Sequence, residues 1–239
     1  MRLPPAARSA PTPSTGGRVT ALARQRHDAE RVSVSLNGEF AFGIGVDLLL
    51  REGLAVGDEL DAARVAALIA ADESGKASGA ALVLLGHRAR SEHELRDRLR
   101  QKGFSPGAID AAIEKLAGWG YLNDAAFARA WVESRAANQP RGERLLAQEL
   151  RRKGVDRELV ADTIAAAEVD ETTDALALAT AKLRSYRGLD PPVARRRLGA
   201  FLARRGYGYD VVGPTLARLF GEGADDAADA STSDPSADE

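Results

Sequence analysis

The sequence predicts a mainly α-helical protein, with three tandem three-helix repeats in an elongated array preceded by a small α+β module that contains a β-hairpin. Three observations predict it. Six positions recur three times along the chain, an alternating apolar pattern brackets Asn37-Gly38, and the composition, 44% hydrophobic and 28% charged, is that of a globular chain.

Residues 1–17 carry Pro4, Pro5, Pro11 and Pro13 among small residues and have no apolar run resembling a signal-peptide core. They hold too little apolar surface to offset the entropy of ordering, and are expected to form a disordered lead. From Arg31 the pattern becomes strict alternation, with Val32, Val34 and Leu36, then Asn37-Gly38, then Phe40, Phe42 and Ile44 on one face. A type I′ turn needs positive φ at both central residues, which Asn-Gly tolerates, so this segment reads as a hairpin. Isolated hairpins are marginal. A third strand over residues 18–22 and a covering helix over 61–71, with Val65, Leu68 and Ile69 at helical spacing, complete a module spanning 18–75.

Beyond Lys76 helical periods take over. Leu95, Leu99, Lys102, Gly103, Ile109 and Ile113 return 51 positions later as Leu146, Leu150, Lys153, Gly154, Val160 and Ile164. After a further 52 positions they return as Leu198, Leu202, Arg205, Gly206, Val212 and Leu216. The leucines four apart are the buried stripe of one helix, the glycine is the left-handed residue that ends it, and the second apolar pair is the stripe of the next helix. Ser105-Pro106 and Asp190-Pro191-Pro192 open helices with a cap and an early proline. Each period has room for one more helix, over 80–86 with Leu82, Leu84 and Leu85, over 124–137 with Phe127 and Trp131, and over 173–186 with Leu176, Leu178 and Leu183. This gives nine helices in units 76–122, 123–169 and 170–221, each near the lower size limit for an independent core, so neighbours are expected to pack on one another.

Charge is segregated. Residues 76–221 hold 25 Lys and Arg against 18 Asp and Glu, residues 18–75 hold 6 against 10, and the tail 222–239 holds none against 7. The reading is a basic body with an acidic tail, expected to be disordered and solvating, or else to fold back on the basic face.

Little in the sequence suggests catalysis. The absence of cysteine excludes disulfides, thiolate metal sites and cysteine nucleophiles. His27, His87 and His93 do not share metal-binding spacing and are expected to be exposed structural residues. Gly43-Ile44-Gly45 follows a strand, but Leu48 stands where a dinucleotide fingerprint needs a small residue, and no Walker A pattern exists. No cofactor or metal is expected. No run of about 18 apolar residues appears, so no membrane contact is expected, and the chain is taken as a cytoplasmic monomer.

The functional signal is cationic. Lys102, then Arg151, Arg152 and Lys153, then Arg204 and Arg205 precede the helix-ending glycines, and Arg195, Arg196 and Arg197 form a further run. Cations in a last helical turn favour the macrodipole, which accounts for Lys102, Lys153 and Arg205 as well as a partner does. Arg195 to Arg197 lie near a helix start, where the dipole disfavours them, so a phosphate or acidic-protein contact is the better account. These nine residues are the candidate partner-binding set. Of the aromatic residues Trp119, Tyr121, Phe127 and Trp131, the last two stand four apart and read as core, although stacking on bases would use the same chemistry. Tyr207 and Tyr209 stay open.

Gly120-Tyr121-Leu122-Asn123-Asp124-Ala125-Ala126-Phe127-Ala128-Arg129-Ala130 resembles the central signature of the RecX family of recombinase regulators. Arg90-Ser91-Glu92-His93-Glu94-Leu95 before Leu99 and Lys102-Gly103, the later Lys153-Gly154, and residues 31–42 are similar to that family's flanking segments. The resemblance covers residues 18–221 and departs at the proline-rich start, the acidic tail and Asn123, where aspartate is common and a helix cap tolerates either. It implies a non-catalytic modulator of the RecA recombinase, built from three-helix repeats, that binds the RecA filament on single-stranded DNA. It further implies depressed ATP hydrolysis and strand exchange, with recombination and SOS induction limited. The basic set would meet RecA or DNA, single- or double-stranded. The alternative is a nucleic-acid-binding helical repeat protein that acts without RecA.

Overall fold

The computed structural model describes residues 15–221, so the expected acidic tail and all but the last residues of the expected lead lie outside the described residues. The chain divides into two compact units.

The first unit, Met1–Arg90 with Glu94–Leu122, begins with strands β1 (Gly17–Gln25), β2 (Asp28–Leu36) and β3 (Glu39–Gly45), helix α1 (Val46–Glu52) and strand β4 (Glu59–Leu60). The sheet is antiparallel in the order β3-β2-β1-β4. Asn37 and Gly38 take φ of 53° and 90°, as the hairpin signal requires. Val34 pairs with Phe42 and Val32 with Ile44, and all four are buried. Phe40 corrects the alternation. A register shift between Val34 and Ser35 sets Phe40 opposite Ser35, and its ring is 67% exposed instead of joining the core.

Helix α2 (Ala62–His87) corrects the expectation of separate helices over 61–71 and 80–86. The intervening Ser74, Gly75, Ser78 and Gly79 look like a linker. In the fold the helix runs through them, because the small residues Ala77, Ser78 and Ala81 are buried, and Ala77 packs with Ala108 and Ala112. The N-terminal half of α2 covers the sheet through Val65 and Leu68. Its C-terminal half joins α3 (Glu92–Gln101) and α4 (Pro106–Gly118) around Ala81, Leu95, Leu99, Ile109, Ile113 and Leu116.

Between the two halves of α2, the Asp72 carboxylate accepts from the Arg31 guanidinium at 3.2 and 3.1 Å and from the Gly45 N–H at 2.9 Å, and pairs with Lys76 at 2.8 Å. Burial opposes the charge on Asp72, but the hydrogen bonds from Arg31, Lys76 and Gly45 outweigh it and hold the carboxyl below its ordinary value.

The second unit, Ser91–His93 with Asn123–Glu239, contains α5 (Asp124–Asn138), α6 (Glu143–Arg152), α7 (Arg157–Ala166), α8 (Glu171–Leu183), a 3₁₀ turn (Arg184–Tyr186), α9 (Pro191–Arg204) and α10 (Tyr209–Phe220). The described residues thus hold ten α-helices, the number expected from the covering helix and the nine of the repeats, but divided differently: α1, too short to show a period, is added, and α2 merges two of those expected. Asn123 caps α5 by accepting from the Ala126 N–H at 2.8 Å. In α8 the fully buried positions are Ala175 and Ala179, and the partly buried Leu178 and Leu183 pack against the same core.

The recurring glycines behave alike. Gly103, Gly154 and Gly206 take φ of 87°, 76° and 92°. The N–H groups of the residues after them, Phe104, Val155 and Tyr207, return to the carbonyls of Leu99, Leu150 and Leu202 at 3.3, 3.1 and 3.3 Å. Each middle helix therefore ends in a Schellman motif.

Within the second unit these turns also hold helix starts. The Gly142 N–H donates to the Arg205 carbonyl at 2.9 Å, and the first N–H of α6, on Glu143, donates to the Glu171 carboxylate at 2.7 Å. The same pattern occurs at Ser91–His93, where the Ser91 hydroxyl donates to the Lys153 carbonyl and the Glu92 N–H donates to Asp124 at 2.8 Å. A carboxylate at the first residue of one helix thus satisfies an orphan N–H at the start of another. Burial, the largest influence on each, raises both carboxyls above their ordinary values.

Candidate functional site

The cationic residues named from the sequence fall in four places. Lys102 follows α3 directly, is exposed, and donates its backbone N–H to the Arg98 and Leu99 carbonyls. Arg195 is half-buried in α9, whereas Arg196 and Arg197 are exposed. At about 100° per residue the three guanidinium groups leave the helix in different directions and do not form one patch. Arg197 and Arg204, seven apart, do share a face. Since α9 begins at Pro191, the run starts in the second turn, where the dipole's disfavour of cations has faded, so the helix-start argument is weaker than the sequence suggested.

Lys153 and Arg205 are half-buried and lie on aromatic rings. The Lys153 ammonium is 5.0 Å from the Trp131 ring centre, and the Arg205 guanidinium is 5.2 Å from that of Phe201. Around Trp131 a cluster forms that the sequence did not single out. Its indole N–H donates to Glu149 at 2.9 Å, Arg135 reaches the same carboxylate at 3.0 Å while lying 4.3 Å from the ring centre, and Arg141 also pairs with Glu149. Burial first, then the charges of Arg135 and Arg205, lower the Arg141 pKa. The core expectation holds for Phe127, which is buried, and the indole of Trp131 stacks beside it with ring centres 5.9 Å apart.

Trp119 and Tyr121 differ. They are 53% and 61% exposed, meet edge to face at 6.3 Å, and carry Lys115 at 4.7 Å from the Trp119 ring. Tyr209 is 87% exposed, while Tyr207 is buried with a hydroxyl that has no hydrogen-bond partner. Burial, followed by the nearby charges of Asp174 and Glu171, pushes that phenol up to about 12.

The structure also gathers cations that the sequence reading missed. A groove of about 710 Å³ between α6 and α7 is rimmed by Arg144, Arg151 and Arg157, with Glu143 beside them. Arg151 was a candidate. Arg144 stands seven residues earlier on the same face and could have been found by helical spacing; Arg157 is on the next helix and needed the tertiary fold. Chemically this groove offers guanidinium groups over a shallow apolar floor, which suits binding of anionic macromolecules. Among the described residues no group of three or more His, Cys, Asp or Glu could hold a metal, and no helix is long and apolar enough to cross a membrane.

Comparison with known proteins shows the family of the chain. Four family descriptions match along the chain: the RecX N-terminal domain over residues 17–61 and the RecX first, second and third three-helix domains over 77–116, 123–164 and 170–213. A regulatory protein RecX of Bacillus velezensis is 31% identical over 210 residues, 87% of this chain and 80% of that protein. One from Amycolatopsis mediterranei is 45% identical over 127 residues, 52% of this chain and 71% of that protein. A crystal structure of a regulatory protein RecX superposes with a TM-score of 0.67 at 22% identity, covering 86% of this chain and 99% of that one. That of RecX from Lactobacillus salivarius gives 0.57 at 23% identity, covering 62% and 97%. The last two show likeness of fold.

Proposed function

Because the chain belongs to the RecX family of regulatory proteins, we propose that it binds the RecA filament on single-stranded DNA and inhibits its ATPase and strand exchange. Recombination and SOS induction are limited as a result. It acts as a cytoplasmic monomer without cofactor, by binding and not by catalysis. The observation that carries this reading is the cationic surface of the repeat body, 25 basic against 18 acidic residues over 76–221, with Arg144, Arg151, Arg157, Arg196, Arg197 and Arg204 all exposed. A nucleoprotein filament presents acidic side chains and phosphates, both of which guanidinium groups bind in bidentate fashion.

The test is the ATPase of RecA on single-stranded DNA, titrated with this protein from sub-stoichiometric to equimolar amounts at physiological salt. The rate is expected to fall; an unchanged rate overturns the proposal. Direct nucleic-acid binding without RecA is the second reading, favoured by the exposed Arg196 and Arg197. It requires salt-dependent binding to naked DNA whose log-log slope flattens when Arg195, Arg196 and Arg197 become alanine. An unchanged slope removes that run from the contact.

A further inference from the structure

The α6–α7 groove stands apart when the three repeats are superposed by their recurring positions. Ala147 and Ala161 face it from the two helices. Counting back 51 residues, the corresponding residues of the first repeat are Arg96 and Asp110, and these form an ion pair across the same place. Counting forward 52, the third repeat has Gly199 and Gly213, and there a Cβ on Gly199 would come within 3.2 Å of the Leu216 side chain. The first repeat bridges the space with charge, whereas in the third Leu216, the counterpart of Ile164, lies beside Gly199 and a Cβ on Gly213 would meet nothing within 4 Å. The second leaves it open, floored by Ala147, Ala161 and Ile164. Its rim guanidinium groups, Arg144, Arg151 and Arg157, are exposed, and none is ion-paired with a described residue.

We propose that this groove is the seat of the chain's own acidic segment, residues 222–239, which occupies it in competition with anionic partners. The segment has seven carboxylates and no cation, and the basic excess of residues 76–221 is likewise seven. Its acidic residues alternate with alanine, as in Ala224-Asp225-Asp226-Ala227-Ala228-Asp229-Ala230. Methyl groups match a floor of alanine and isoleucine while the carboxylates reach the arginine rim; a phosphate backbone satisfies the rim and leaves the floor uncovered. Eighteen residues can extend roughly 60 Å, several times the roughly 13 Å radius of gyration of a hundred-residue body, so reach is not limiting. Tethering raises the segment's effective concentration into the millimolar range, enough for a weak contact to be populated.

The proposal does not depend on which partner the chain regulates, and its test uses no RecA. Methyl and amide NMR signals of Ala147, Ala161 and Ile164 are compared between the full chain and a chain ending at residue 221. A labelled peptide of residues 222–239 is then titrated into both at low salt. The groove signals are expected to shift on truncation, and the peptide to bind the truncated chain at least about tenfold more tightly than the full chain, whose seat is filled. Installing the first repeat's ion pair by Ala147→Arg with Ala161→Asp fills the groove without removing an arginine, and is expected to abolish peptide binding. If circular dichroism shows that variant unfolded, Arg144→Gln, Arg151→Gln and Arg157→Gln together test the rim, with a loss of roughly threefold to a hundredfold for three exposed ion pairs. Groove signals indifferent to the tail, or a peptide that binds filled and open grooves alike, overturn the proposal. So does a groove that takes short single-stranded DNA but not the peptide.

Discussion

Gly103 and its counterparts Gly154 and Gly206 carry the same sequence signal, the same positive φ and the same Schellman hydrogen bonds, yet they do different work. A Cβ built on Gly103 meets nothing within 4 Å. On Gly154 it falls 2.2 Å from the His93 Cβ, and on Gly206 2.4 Å from the Leu145 Cβ. The first glycine only turns the chain. The other two turn it and also let the turn press against the start of another helix, where the Lys153 and Arg205 carbonyls accept from Ser91 and Gly142. A repeat is therefore recognised by positions that serve its own helices, while contacts within the second unit use the same glycines for a second purpose.

Replacing these glycines tests the difference directly. Gly154→Ala and Gly206→Ala should each cost about 3 kcal/mol or more, combining left-handed strain of roughly 1–2 kcal/mol with overpacking of roughly 1–3 kcal/mol. Gly103→Ala should cost the strain alone, about 1–2 kcal/mol. Urea unfolding of the three variants measures this, and equal losses would erase the distinction.

Acid should separate the carboxylates of the junctions from the carboxylate that anchors the sheet. Asp72 has a lowered pKa in the folded chain, so its contribution is present above its unfolded value near 3.8 and is lost as pH falls through the folded one. Asp124 and Glu171 are raised, so their contribution is fully present below their unfolded values, 3.8 and 4.5, and is lost as pH rises through the folded ones. Glu171→Gln keeps an acceptor for the Glu143 N–H and removes the buried charge. It should raise the melting temperature at neutral pH by about 1–2 °C, an advantage that disappears near pH 4. Asp72→Asn should lower it at neutral pH and reduce the acid sensitivity. An unaltered pH profile in either variant would contradict these assignments.

The smallest expected effect lies one residue beyond Gly206. Tyr207 occupies the place of Phe104 in the first repeat, and its buried hydroxyl lacks a hydrogen-bond partner. Tyr207→Phe should be neutral or stabilising by up to about 1 kcal/mol. A clear loss in calorimetry would mean that the hydroxyl is satisfied in solution.

Much of the scaffold was legible because its determinants are local. The Asn37-Gly38 turn, the leucine stripes and the left-handed glycines depend on residues within a turn or two of one another. What escaped the sequence depends on distant partners. Separate helices were expected over 61–71 and 80–86, and only the packing of Ala77 on Ala108 and Ala112 shows why α2 continues between them. Phe40 fitted the alternation until a register shift moved it outward. The site was less legible than the fold. Runs such as Arg195 to Arg197 catch the eye in a sequence but diverge around a helix, whereas Arg144, Arg151 and Arg157 are scattered in sequence and converge on one groove.

Regulation of RecA by direct engagement of its filament is tested most directly by binding. Association of the chain with RecA assembled on single-stranded DNA can be followed at physiological salt by interferometry, with free RecA and naked DNA as references. The account predicts clearly tighter binding to the filament than to either reference alone. Equal binding to naked DNA and filament, or none to the filament, would contradict it.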